Sequence, residues 1–113
     1  MLRLRNITFM TSDPGRLADF WAVALGLPER RTSPDEVLLA DADWNFPRFT
    51  FQRVAEGRRA PAPVHLDLTS DGRVQAVARL VELGATEGET RGDDEFRWTV
   101  MRDPDGNEFC VTD

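Results

Sequence analysis

Residues 64–71 read VHLDLTSD, and the fold turns on how they are read. Apolar Val64, Leu66 and Leu68 alternate with polar His65, Asp67 and Thr69, the period-two pattern of a strand with one face on a core. The tripeptide that ends the stretch, TSD, also stands at residues 11–13. Aligning Asp13 with Asp71 brings Gly26 onto Gly84, since both intervals are 13 residues. Between these anchors lie RLADFWAVAL and RVQAVARLVEL, each an amphipathic helix pattern. Leu17, Phe20, Trp21 and Ala24 form the expected core face of the first, and Val74, Val77, Ala78 and Val81 that of the second. Ser12 or Asp13 suits the N-cap of the first helix, with Pro14 in its first turn, and Ser70 or Asp71 suits the N-cap of the second. Gly26 and Gly84 suit the left-handed residue that ends each helix.

Strands are expected on both sides of each helix. Arg3–Thr11 and Val64–Thr69 precede them. Residues 28–32, 36–40 and 48–54 follow the first, and residues 86–91, 96–102 and 108–112 follow the second. Asp103-Pro-Asp-Gly-Asn107 is the turn between the last two. Each half therefore spells βαβββ. The expectation is a single α+β domain over residues 1–113, with module one at about 1–54, a linker at about 55–63 and module two at about 64–113. The two modules would form a curved mixed sheet around a cleft, with the helices on the outer face.

Composition narrows the function. The chain has 113 residues and a formal net charge of −6. That balance repels a phosphate backbone, so a nucleic-acid partner is not expected, and an anionic membrane surface is disfavoured as well. No apolar run approaches the ~20 residues that span a bilayer. One cysteine, Cys110, forbids an intrachain disulfide and suits a reducing compartment, so a cytoplasmic location is expected. The first ten residues do not read as a secretion signal.

Strand parity selects the candidate site. If the apolar sides pack on the helices, the cleft receives Asn6 and Thr8 from the first strand, and Thr50 and Gln52 from the last strand of module one. It also receives His65 and Asp67, and Glu108 and Cys110 from the last strand. A gapless alignment sets His65 opposite Ile7, whereas parity pairs it with Asn6. His65 is the sole histidine and offers a neutral imidazole nitrogen to a metal, with Asp67 on the same face to orient it. Glu108 is a candidate metal ligand or general base, since partial desolvation moves a carboxylate toward neutral pH. Cys110 offers a thiophilic ligand, a nucleophile if its thiolate is favoured, or a small apolar filler. Trp44 and Phe46, in DADWNFP, form either a wall over a ligand or a cluster that pins the loop. Arg58 and Arg59 in the linker either attract an acidic ligand or, as the favoured reading, belong to a solvated loop.

Three stretches, TSDPGRLADFWAVALGL, VHLDLTSDGRVQAVARLVELGAT and WTVMRDPDGNEFCV, make the chain resemble the vicinal oxygen chelate superfamily, in its glyoxalase-like branch. The resemblance implies a small-molecule ligand, a homodimer, and a cleft that in many members holds one divalent ion, such as zinc, nickel, manganese or iron. Other members sequester drugs without a metal. Ligands in the family come from the first and last strands of each module, which correspond here to Asn6, Gln52, His65 and the last strand. At that strand the usual glutamate position is Cys110, with Glu108 two residues earlier. With a single histidine, a two-histidine iron site of the ring-cleaving dioxygenase kind is disfavoured. The first functional expectation is a lyase or isomerase in which His65 and Glu108 hold a metal. Glu108 would also move the proton, and Asn6, Thr8, Trp44, Gln52, Asp67 and Cys110 would contact the substrate. The alternative is a metal-free binding protein using the same residues, and a third is a degenerate domain that serves only in association.

Overall fold

The computed structural model describes residues 2–55 and 63–113. Arg58 and Arg59 lie outside them. The described residues form β1 (Arg3–Thr11), α1 (Pro14–Leu25), β2 (Glu29–Thr32), β3 (Glu36–Ala40) and β4 (Arg48–Arg53). They continue with β5 (Val64–Thr69), α2 (Arg73–Glu82), β6 (Thr86–Gly92), β7 (Arg97–Arg102) and β8 (Glu108–Thr112). The fold is α+β, and the βαβββ plan appears twice. Two compact units emerge: Asn6–Val64, and residues 2–5 with His65–Asp113. Leu2 packs against the core of the second unit, and Arg5 lies over the Phe96 ring at 5.1 Å.

In the first unit the strand order is β2-β3-β4-β1. β1 and β4 run parallel with Asn6 opposite Arg48 and Thr8 opposite Thr50, and the other neighbours are antiparallel. One face gives Phe9, Val37, Leu39, Phe49 and Phe51 to α1, which supplies Leu17, Ala18, Trp21 and Ala22. Phe9 stacks on Phe51 at 5.2 Å and meets Trp21 at 5.6 Å. The second unit repeats the pattern as β5-β8-β7-β6. β5 and β8 are parallel, with Asp67 opposite Cys110. Its core joins Met101, Phe109 and Val111 to Ala76, Val77 and Leu80 of α2.

Helix phasing departs from the expectation. Phe20 and Ala24 of α1 face solvent, as do Val74, Ala78 and Val81 of α2. The core faces are 17, 18, 21, 22 and 76, 77, 80 instead. Both helices carry apolar residues around more than half their circumference, so spacing alone supports two phases. In α2 the sheet side also takes Arg73, whose guanidinium donates to Thr99 Oγ1 at 2.8 Å and to Asp113 Oδ2 at 3.3 Å.

The caps also differ. Asp13 Oδ1 accepts from Arg16 N at 3.2 Å, closing the first turn of α1 as expected. Neither Ser70 nor Asp71 caps α2: Gly72 is its N-cap residue, and no cap side chain bonds to the helix. Asp113, which follows β8, instead accepts from Arg73 N at 3.3 Å. A tertiary contact replaces a local one, which no local pattern announces. Gly26 ends α1 with φ +64, and Gly84 follows α2 with φ +112, backbone that other residues adopt only under strain. Neither helix is long and apolar enough to cross a membrane.

Candidate functional site

In the second unit, β5 inverts the usual burial. Val64 and Leu66, on the apolar side, are 52% and 44% exposed. The side chains of His65 and Asp67, on the polar side, keep only 16% and 17%. Thr69 is buried as well. Polar groups withdrawn from water need partners or a ligand. Next to β5 runs β8, whose register sets Cys110 beside Asp67 and, continued one step, Glu108 beside His65. β7 adds Val100 opposite Cys110 and Arg102 opposite Glu108. The face away from α2 thus collects His65, Asp67, Glu108 and Cys110.

Distances make a cluster of three of them. His65 Nε2 lies 3.5 Å from Asp67 Oδ1. The donor atoms of His65, Asp67 and Cys110 all lie within 4.8 Å of one another. Strand geometry puts residues i and i+2 nearly 7 Å apart at Cα, so spacing along the strand does not by itself bring His65 to Asp67; the side chains close the gap. Glu108 stands apart, its Oε2 at 3.7 Å from Arg102 Nη2, with a third of its side chain exposed.

Cys110 is buried, and its thiol pKa is pushed up to about 12. Desolvation is the main cause. The Asp67 and Glu108 carboxylates add to it, Arg91 opposes it, and a hydrogen bond to Asp67 raises it further. A nucleophilic thiolate needs the reverse environment, so Cys110 of the metal-free protein is a neutral thiol.

The helix-free face of the first unit carries different groups. Asn6 Nδ2 donates to Thr50 Oγ1 at 3.0 Å, and Thr8 and Thr50 are buried beside it. Asn6 Oδ1 is buried and has no hydrogen-bond partner among the described residues. Gln52 is exposed, in register with Met10 and Glu36. It stands four residues along the paired strands from the Asn6–Arg48 step, about 13 Å by strand rise. The residue brought to Asn6 is Thr50. Parity points it inward too, but a threonine hydroxyl carries no ligand signature, whereas the amide of Gln52 does.

Trp44 adopts φ +57, a left-handed backbone that is strained for an indole residue. Arg48 Nε and Nη2 donate to its carbonyl at 3.1 and 2.9 Å, and the Arg31 guanidinium lies over its ring at 4.3 Å. Arg48 also covers the Phe46 ring at 4.8 Å. Arg31 and Arg48 therefore engage both rings and pin the loop. Asp41 helps from below: its carboxylate accepts from Asn45 N and Asp43 N, which holds its pKa below the usual value, the Asn45 bond contributing most.

No curated protein sequence matches the chain. Among solved structures, an NAD-dependent benzaldehyde dehydrogenase from Legionella pneumophila superposes with TM-score 0.70 at 13% identity, covering 95% of this chain and 96% of that one. A glyoxalase/bleomycin resistance protein/dioxygenase superfamily member from Vibrio splendidus 12B01 gives 0.66 at 16% identity, covering 99% and 98%. Methylmalonyl-CoA epimerase from Mycobacterium tuberculosis gives 0.67 at 15% identity, covering 96% and 85%. At these identities the likeness is one of fold. The glyoxalase-like domain family model matches residues 6–112, nearly the whole chain. The paired βαβββ plan and this match together make the chain a member of the glyoxalase-like domain family.

Proposed function

We propose that the protein is a small-molecule enzyme of lyase or isomerase type, working on the helix-free face of β5 and β8. One observation carries this reading: on β5 the polar His65 and Asp67 are largely withdrawn from water while the apolar Val64 and Leu66 are open to it. The substrate class that suits the face is a small compound with an ionisable C–H next to an oxygen function. Glu108 is the group that moves the proton, being half-buried, on the same face, and steered by Arg102 at 3.7 Å. His65 holds or polarises the substrate oxygen, and Asp67 at 3.5 Å fixes its ring orientation.

The donors on this face fit a divalent ion, with His65 as its imidazole and acidic groups beside it. Such an ion, when bound, supplies a Lewis acid that stabilises negative charge on a substrate oxygen. In the first unit, Asn6 Oδ1 is a buried acceptor suited to a ligand N–H or O–H. Structures of the same fold include a methylmalonyl-CoA epimerase in complex with methylmalonyl-CoA, and proton transfer beside a carbonyl is the reaction class carried over here as a proposal.

The test is solvent deuterium wash-in at the acidic carbon of a panel of small oxo- and hydroxy-acids and thioesters, followed by proton NMR. Exchange that falls about a hundredfold or more in Glu108→Gln supports the reading. Saturable binding of panel members with no exchange, unchanged in Glu108→Gln, overturns it in favour of a sequestering protein.

A further inference from the structure

The first unit holds two guanidinium groups on rings, away from any carboxylate. Register sets Arg31 of the edge strand β2 beside Leu38, and Leu38 beside Thr50, on the side turned away from α1. Arg48 stands on the same side, opposite Asn6. The loop between β3 and β4 brings the Trp44 ring to both cations. Arg31 Cζ lies 4.3 Å and Arg48 Cζ 5.7 Å from its centroid. Arg48 Cζ is also 4.8 Å from the Phe46 ring, a residue 40% exposed.

Carboxylates are not scarce, since 20 acidic residues face 14 basic ones. Among the described residues, seven arginines meet a carboxylate within 4.0 Å. Arg30, the neighbour of Arg31, holds Asp19 at 2.6 Å. Arg31 forms no ion pair or hydrogen bond within the described residues, and its contact is the indole. By parity Glu29 and Glu36 share its face, yet neither pairs with Arg31 or Arg48. Asp41, at the start of the loop, turns its carboxylate to the amides of Asn45 and Asp43.

Stacking engages the flat of a guanidinium and leaves its N–H donors along the edge. All five remain on Arg31, which is exposed. Arg48 gives Nε and Nη2 to the Trp44 carbonyl, so its Nη1 remains. A guanidinium held in plane by a ring has already lost part of the freedom that binding would cost. Its edge matches a carboxylate through two parallel N–H···O bonds. The Arg48 step is also where the described residues leave a buried side-chain atom unmatched, Asn6 Oδ1.

We propose that Arg31 and Arg48, set by the Trp44 ring, form a recognition site for the carboxylate of a small organic acid whose apolar body lies against Phe46. The site uses the first unit alone and is independent of the proton chemistry proposed for β5 and β8. A phosphate ester presents similar oxygens to the same edges, and the test separates the two.

The full-length protein is titrated with benzoate, phenyl phosphate and neutral benzamide, and the indole N–H signals of its three tryptophans are followed by NMR. Loss of one signal in Trp44→Phe assigns Trp44. Benzoate should shift that signal saturably and leave Trp21 and Trp98 in place. Benzamide should bind at least about tenfold more weakly. Arg31→Gln should weaken benzoate at least about tenfold, and Arg31→Lys, which keeps the charge and loses the fork, should weaken it too. Arg30→Gln removes a charge one residue away and should change affinity less than about twofold. No Trp44 shift, benzamide equal to benzoate, wild-type affinity in Arg31→Gln, or an equal loss in Arg30→Gln overturns the site. Phenyl phosphate binding more tightly than benzoate overturns the carboxylate assignment. Deuterium wash-in is a separate readout, so either reading can fail while the other stands.

Discussion

The two units share a plan and differ in chemistry. Both pair their first and last strands in parallel, and both turn the same parity away from the helix. At matching steps the first unit has Asn6, Thr8, Arg48 and Thr50, and the second has His65, Asp67, Glu108 and Cys110. One set makes hydrogen bonds and pins a loop. The other gathers an imidazole, two carboxylates and a thiol. A repeated fold therefore does not repeat a site: the backbone fixes where side chains converge, and the residue types at those steps decide what convergence can do.

The largest effects should come from what the units share. Phe51→Ala in the first core should lower unfolding free energy by about 3–5 kcal/mol, and Met101→Ala in the second by about 2–5 kcal/mol, measured by urea denaturation. Both side chains are fully buried. A loss under about 1 kcal/mol in either would break the parallel between the cores.

Next in size is the contrast in chemistry. His65→Ala should reduce zinc affinity about a hundredfold or more, while Asn6→Ala should change it less than about tenfold, by calorimetric titration. Equal losses would mean that the chemistry is not concentrated in the second unit.

A smaller effect separates Cys110 from Thr50. The folded thiol is raised from 9.0 to about 12. Between those values the unfolded chain releases a proton that the folded chain keeps, so stability should fall as pH rises from about 9 toward 12. The chain has no tyrosine and no lysine, all 14 basic residues being arginine, so few other groups titrate there. Melting of the metal-free protein should drop by several degrees between about pH 8 and about pH 10.5. Cys110→Thr, which installs the first unit's residue type, should flatten that slope, and an unchanged slope would assign it elsewhere.

The smallest contrast lies at the helix starts. Asp13→Ala should destabilise by about 1 kcal/mol, the usual worth of an N-cap bond. Asp71→Ala should stay within about 0.5 kcal/mol, because Asp71 makes no cap and its side chain is almost wholly exposed. Equal losses would restore the symmetry that the repeat implies.

Strand identity is legible in the sequence because alternation in VHLDLTSD and its repeat partner reports which side meets a core. Helix phase is not, since VQAVARLVEL offers apolar residues on more than one face; in the structure Ala76, Val77 and Leu80 meet the sheet, and Arg73 on the same side bonds Thr99 and Asp113. Parity puts His65, Asp67, Glu108 and Cys110 on one face, and the β5–β8 register brings them side by side. Their grouping within that face is beyond sequence. Whether His65 reaches Asp67, and whether Glu108 turns to Arg102, depends on side-chain rotamers and cross-strand neighbours. The pairing of Asn6 with Thr50 rather than Gln52 depends on the β1–β4 register. Trp44 reads equally as wall or pin in the sequence, and its contacts with Arg31 and Arg48 depend on strands distant along the chain.

His65 is the sole imidazole, so its ring nitrogens give one set of signals in a long-range proton–nitrogen-15 spectrum and need no assignment. Zinc added to the metal-free protein should shift the Nε2 resonance and saturate at one equivalent, with weaker binding in Asp67→Ala. Imidazole signals that stay unmoved while zinc binds would contradict a His65-centred site on the second unit.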